Sequence, residues 1–257
     1  MPELTWLTRV FVERGIPITH AVEPANVTGD AVSWLKQVKK DHPDLIELVQ
    51  HGWDHSLHGK GEFGGKRSYE DQLRDLKRGK DKLEDIFNAG FFPMLTIPFG
   101  VYNAATIKAA NSLGYKVICS HYNYRISRRI FYAVGHLLGK GKLFGRHISN
   151  HLNYYPGTTM FEIDSSISFI KEYFDDYGTG CSFYSKEEIM EEYERFKKYV
   201  PVVVFLLHHR YHVAKEAKDL VVNILDSLRI QQGIKFLNYS TVYQIFHHGY
   251  YGLCNFV

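Results

Sequence analysis

The chain has 257 residues, with 45% hydrophobic and 23% charged, an ordinary globular composition long enough to bury a sizeable core. A formal net charge of +3 is too small for the basic stripe of a nucleic-acid binder, and no apolar run approaches the ~20 residues that span a bilayer. The three cysteines, Cys119, Cys181 and Cys254, lie far apart, which argues against a disulfide framework. With no basic and then apolar leader from Met1 to Trp6, a cytoplasmic protein is expected.

Pro2 opens a predicted helix through about Glu13, with Trp6, Leu7 and Val10 on its inner face, and Gly15 closes it. Ile16 to Val22 reads as a strand. Thr28 caps a helix to about Lys40, and Ile46 to Gln50 is a short apolar strand that delivers His51. Ser68 caps a charged helix to about Phe87, carrying Leu73, Leu76 and Leu83 at helical spacing. Phe92 to Ile97 is a strand ending at Pro98-Phe99-Gly100, Ala104 to Leu113 a helix closed by Gly114, and Tyr115 to Ser120 another strand. Residues 122–155 form a basic, aromatic, glycine-punctuated stretch, read as an excursion over the rest. Ser185 caps a helix to about Tyr199, and Val202 to Leu207 has the apolar, β-branched composition of a buried parallel strand. A helix from Ala214 to Arg229, a strand from Lys235 to Leu237 and a short helix from Ser240 complete the chain. Alternation of helix and strand predicts βα units around a largely parallel sheet in a single domain, 1–257.

The sharpest chemical signal is Gln50-His51-Gly52-Trp53-Asp54-His55. Two histidines spaced H-x-x-x-H just past an apolar strand converge on one ion if Gly52 lets the chain turn. Neutral imidazole suits zinc first, with cobalt, nickel or manganese as alternatives. The competing reading is a pair of polar histidines in an exposed loop. Asp54 is a candidate for orienting an imidazole. Ile97-Pro98-Phe99-Gly100-Val101-Tyr102-Asn103 is a second loop at a strand's C-terminal end, where α/β barrels collect catalytic groups. The third signal is His208, where an apolar strand emerges into histidine; such a group can serve as a general acid. His209 and His212 fit structural roles equally well.

The order of these pieces resembles the polysaccharide deacetylases, the NodB-homology family. The likeness runs from about Gly15 to Phe246. His51 and His55 match that family's metal-ligand pair. Pro98, Phe99, Gly100 and Asn103 match its groove loop, and His208 its final histidine. Phe161-Glu162-Ile163-Asp164 is a weak match to its fourth motif, and Trp53, Glu62 and Arg67 resemble its divergent members. The resemblance implies an irregular (β/α) barrel and a metal-dependent removal of N-acetyl or similar acyl groups from a carbohydrate or other N-acylated small substrate. In that scheme a carboxylate takes the proton of the attacking water. His208 protonates the departing amine, and Trp53, Phe99 and Tyr102 are available to stack on a sugar.

Two departures stand out. Thr96 occupies the place of the groove-loop arginine, and no Asp-Asp-Gly, source of the family's catalytic base and carboxylate ligand, occurs in the chain. In the family that motif ends a first strand, whereas this chain begins at the following helix. Three explanations compete. The chain begins one strand late; or a carboxylate such as Glu23, Asp30, Asp54 or Glu62 completes the ion's shell; or catalysis is lost and a metal- or carbohydrate-binding domain remains.

Overall fold

The computed structural model describes residues 1–59, 61–122, 130, 134, 151–155, 157–174 and 180–247. Most of the 122–155 excursion lies outside them. They group into two compact units. Among the described residues, one is built from Ile18–Asp164 and the segment from Asn238 to His247, the other from Met1–Pro17 and Ser165–Leu237.

The first unit is a six-stranded α/β sheet. Its strands are β1 (Ile18–Val22), β2 (Ile46–His51), β3 (Phe91–Thr96), β4 (Val117–Cys119), β5 (Asn153–Tyr154) and β6 (Phe161–Glu162), in the order β1-β2-β3-β4-β6-β5. All neighbours pair in parallel except β5, which runs antiparallel to β6 at the edge. Helices Gly29–Asp41, Tyr69–Phe87 and Ala104–Ser112 follow β1, β2 and β3 in turn. Thr28 and Ser68 accept backbone hydrogen bonds from Ala31 and Asp71, so the helix starts fall where the capping signals put them.

Ile46 through Gln50 are all buried, as in a strand covered on both faces, with Ile46, Leu48 and Val49 its apolar members. Leu76, Leu95, Ile107 and Tyr115 pack with Phe63 and Tyr102 into one core cluster. Each fully buried leucine there contributes about 2 kcal/mol relative to exposure. The charge within β2, Glu47, is also buried. Its carboxylate accepts Thr19 Oγ1 at 3.1 Å and the backbone N–H groups of Tyr239 at 3.0 Å and Ser240 at 2.9 Å. An anion therefore sits on the N-terminus of helix Tyr239–His247, where the unpaired N–H groups and the helix dipole both favour it.

Register decides where the chemistry emerges. Val22 lies opposite Gln50 and His51 opposite Thr96. The residues that follow β1, end β2 and follow β3 therefore leave the sheet side by side at its C-terminal edge, the usual ligand edge of parallel sheets.

The second unit pairs β7 (Ile167–Ser168) in parallel with β10 (Phe205–Leu206), and β8 (Ile170–Tyr173) antiparallel to β9 (Cys181–Phe183). Helix Pro2–Val12 buries Leu7, Val10 and Phe11, and Ser185 opens helix Lys186–Phe196 with a reciprocal capping box to Glu188. Arg14 makes a forked ion pair with Asp226 on helix Lys215–Arg229, at 2.8 and 3.2 Å.

Two expected strands are corrected in this unit. Within Val202–Leu207 only Phe205–Leu206 is strand, and Leu206 is exposed, because β10 has β7 as its one partner among the described strands. Lys235–Leu237 is irregular chain; it finds no strand neighbour among the described residues, and Leu237 is exposed.

Candidate metal site

Three residues converge at the C-terminal edge of β1 and β2. Glu23 directly follows β1, His51 ends β2, and His55 lies four residues further on. One potential ligand atom from each lies within 4.8 Å of the others, and all three residues are half-buried. The imidazole centroids of His51 and His55 are 5.2 Å apart, with ring planes tilted by 46°. Two imidazoles and one carboxylate make a donor set typical of catalytic zinc and of related divalent metals, with further positions left for water or substrate. The residues fit such an ion. Of the four carboxylates open in the sequence, Glu23 is the one that joins the histidines.

Neighbouring groups hold each ligand. Thr96 Oγ1 lies 2.7 Å from His51 Nδ1 and donates to the Gln50 carbonyl at 3.0 Å. The hydroxyl has a single hydrogen and the carbonyl none, so the hydrogen between Thr96 and His51 comes from the ring. His51 is thus fixed as the Nδ1–H tautomer, with Nε2 as its electron-pair donor. Asn26 Nδ2 donates to Glu23 Oε2 and to the Asp54 carbonyl, both at 3.0 Å. The Ala25 N–H donates to the Trp53 carbonyl at 2.9 Å. The Glu23 loop and the histidine turn are therefore tied together. Asp54 itself accepts the Ser56 N–H at 3.0 Å.

The turn rests on a buried acid. Glu62 accepts the backbone N–H groups of Trp53 at 2.6 Å and His55 at 3.1 Å. Burial pushes its carboxyl up to about 7, against the opposing pull of those two hydrogen bonds. Gln50 Nε2 donates to the Gly52 carbonyl at 2.9 Å, and Tyr115 donates its hydroxyl to Gln50 Oε1.

The groove loop divides between site and scaffold. Phe99 takes a left-handed conformation, φ 60°, and its ring lies 4.3 Å from that of His55. Gly100 follows it, also left-handed, and Pro98 is buried. Tyr102 is buried against Phe63 in the core cluster, so its ring is packing rather than a sugar platform. Asn103 caps helix Ala104–Ser112 through a capping box with Thr106 and accepts from Gln72 at 3.1 Å; that is scaffold work. Trp53 is half-buried, with the Arg78 guanidinium 4.2 Å over its ring. His208 belongs to the second unit, where Tyr173 and Tyr211 meet its ring edge-on at 6.1 and 6.2 Å.

Sequence reasoning left Glu23 among four candidates and gave no role to Asn26 or Thr96. A carboxylate immediately beyond a strand parallel to the histidine strand is the signal that singles out Glu23. For Glu62 the signal is a lone charge in the segment Gly61-Glu62-Phe63-Gly64.

A family model described as polysaccharide deacetylase matches residues 6–118. Among solved structures, a Mycobacterium smegmatis protein described as a polysaccharide deacetylase is 12% identical with a TM-score of 0.67, over 96% of this chain and 77% of that one. The PuuE allantoinase is 11% identical at a TM-score of 0.66, over 96% of this chain and 72% of that one. A CE4-family pseudoenzyme from Bacillus anthracis is 13% identical at a TM-score of 0.55, over 94% of this chain and 60% of that one. No curated protein matches the sequence. At these identities the structural likenesses establish the α/β fold; one such fold carries several activities.

Proposed function

We propose that this chain, whose residues 6–118 match the polysaccharide deacetylase family model, is a metal-dependent hydrolase of that family that removes N-acetyl or similar acyl groups from a carbohydrate. The observation that carries this reading is the meeting of Glu23, His51 and His55 at the C-terminal edge of adjacent parallel strands. Zinc is the ion we expect, on the donor set.

A divalent ion held by these three residues supplies Lewis-acid polarisation of an acyl carbonyl and activation of water. The chain's own residues do the rest. Glu23 supplies the carboxylate ligand. Asn26 and Thr96 hold Glu23 and His51 in their donor orientations. Phe99 packs on His55 and covers one side of that ligand from water. From the order of the motifs, His208 is assigned the proton given to the departing amine.

Acetate release from N-acetylated oligosaccharides, with zinc or cobalt supplied, tests the proposal. Turnover that disappears in the His51→Ala, His55→Ala double variant, together with its bound metal, is expected. A double variant that binds metal as well as the parent would overturn the site.

A second reading has one specific observation behind it: a structure of the same fold, from Bacillus anthracis, is a CE4-family pseudoenzyme. On that reading the domain binds metal or carbohydrate without hydrolysis. Metal and oligosaccharide binding with no acetate release would select it.

A further inference from the structure

Glu62 is fully buried, and a buried carboxylate is costly unless its oxygens are occupied. Arg67, a nearby cation, does not occupy them. Its guanidinium pairs with Asp75 and donates to the backbone carbonyl of Glu62 at 3.1 Å. The carboxylate oxygens instead take one backbone N–H each, from Trp53 and His55. The turn fits that carboxyl group closely. A Cβ on Gly52, which sits at φ +57°, would come within 2.2 Å of Glu62 Oε2 and 2.6 Å of Pro98 Cγ. Only glycine lets the chain settle onto the carboxylate there.

The same turn holds His55 at φ 59°, a conformation that costs a residue with a side chain about 1 kcal/mol or more. The strain needs a compensating contact, and the N–H of His55 makes one with Glu62. The direction in which His55 leaves the backbone is thereby coupled to a side chain seven residues away that is not among the converging ligands.

We propose that Glu62 is a positioning residue, an internal carboxyl group on whose two oxygens the His51–His55 turn is moulded, so that His55 keeps its left-handed backbone and meets Glu23 and His51. This rests on reading those three as a metal centre. Phosphate or acetate from outside is not needed to build the turn; the chain carries its own carboxylate.

The test compares the full chain with Glu62→Gln, which keeps the volume but turns an NH2 group toward one of the two amides, and with Gly52→Ala, which keeps Glu62 but pushes a methyl group into it. Two readouts are taken: zinc affinity with the visible spectrum of the cobalt-loaded protein, and amide hydrogen exchange of Trp53 and His55 without metal. Both variants are expected to bind zinc at least about 10-fold more weakly, with shifted cobalt bands, while far-UV circular dichroism is unchanged. The two amides should exchange at least about 10-fold faster, as expected once their hydrogen bonds open locally. A Glu62→Gln protein with the parent's zinc affinity and cobalt spectrum, or with both amides still protected, overturns the proposal. If Glu62→Gln fails to fold, Gly52→Ala decides by the same readouts. If the parent binds neither metal, the metal-centre reading falls, and amide exchange alone decides the role of Glu62.

Discussion

His51 donates its Nδ1–H to the hydroxyl of Thr96, and Thr96 passes its own hydrogen to the carbonyl of Gln50, the residue before His51. The chain of bonds closes on the strand it starts from. It sets ring tautomer and ring angle together, and it stands at the position where the resembled family carries arginine. Thr96→Val keeps the shape and removes the hydroxyl. We expect zinc affinity to fall about 10- to 100-fold, read by chelator competition, with thermal stability changed by about 1 kcal/mol. Unchanged affinity would show that the ring is oriented by other contacts.

Glu23 is separable from the other acids near the histidines. Glu23→Gln keeps the hydrogen-bonding shape but weakens the carboxylate ligand. It should lower zinc affinity at least about 10-fold, whereas Asp30→Asn and Asp54→Asn leave it within a few-fold of the parent. Elemental analysis after dialysis reads the difference. Retained zinc in Glu23→Gln, or loss in Asp54→Asn alone, would reassign the third ligand.

His212 predicts a pH dependence that is independent of any metal. Its ring is buried between Phe169 and Phe183, at 6.3 and 5.2 Å; Nδ1 faces the Ala217 carbonyl at 3.3 Å, and Nε2 has no hydrogen-bond partner among the described residues. Burial lowers its pKa below the usual histidine value of 6.5. The unfolded chain therefore takes up this proton at a higher pH than the folded chain. The contribution to stability is complete above pH 6.5 and is lost as the pH falls from there through the folded pKa. Urea midpoints measured between pH 8 and pH 5 should fall in the parent and fall less in His212→Phe. Parallel curves would mean that the ring accepts its proton without penalty.

Glu47 predicts a local loss. Glu47→Ala removes the carboxylate that holds Thr19 and the first N–H groups of helix Tyr239–His247. We expect a destabilisation of about 2–3 kcal/mol, with faster proteolysis near Asn238, because charge-assisted hydrogen bonds are lost and the helix start is left bare. A variant as stable as the parent would show that packing alone docks this helix.

The first four strands of the sheet unit, the helices between them, their caps and the histidine turn were legible in the sequence because their causes are local; the short strands β5 and β6 were not. Leucines at helical spacing, serine and threonine caps, an apolar run ending in His51 and a glycine between histidines all act over a few residues. Val202–Leu207 shows the limit: its composition suits a buried strand, but burial depends on how many neighbours the strand finds. The third ligand was not local either. Glu23 lies 28 residues before His51, and the parallel register of β1 against β2 sets it beside the histidines. Glu62 is one of four candidate ligand carboxylates in the sequence, and its supporting place shows only when the fold closes Gly52, Trp53 and His55 around it. Sequence by itself thus determined the first four strands of the sheet unit, the helices between them and the histidine turn. Only tertiary structure decided which carboxylate joins the cluster and which one supports it, because both choices depend on register and close packing between segments far apart in the chain.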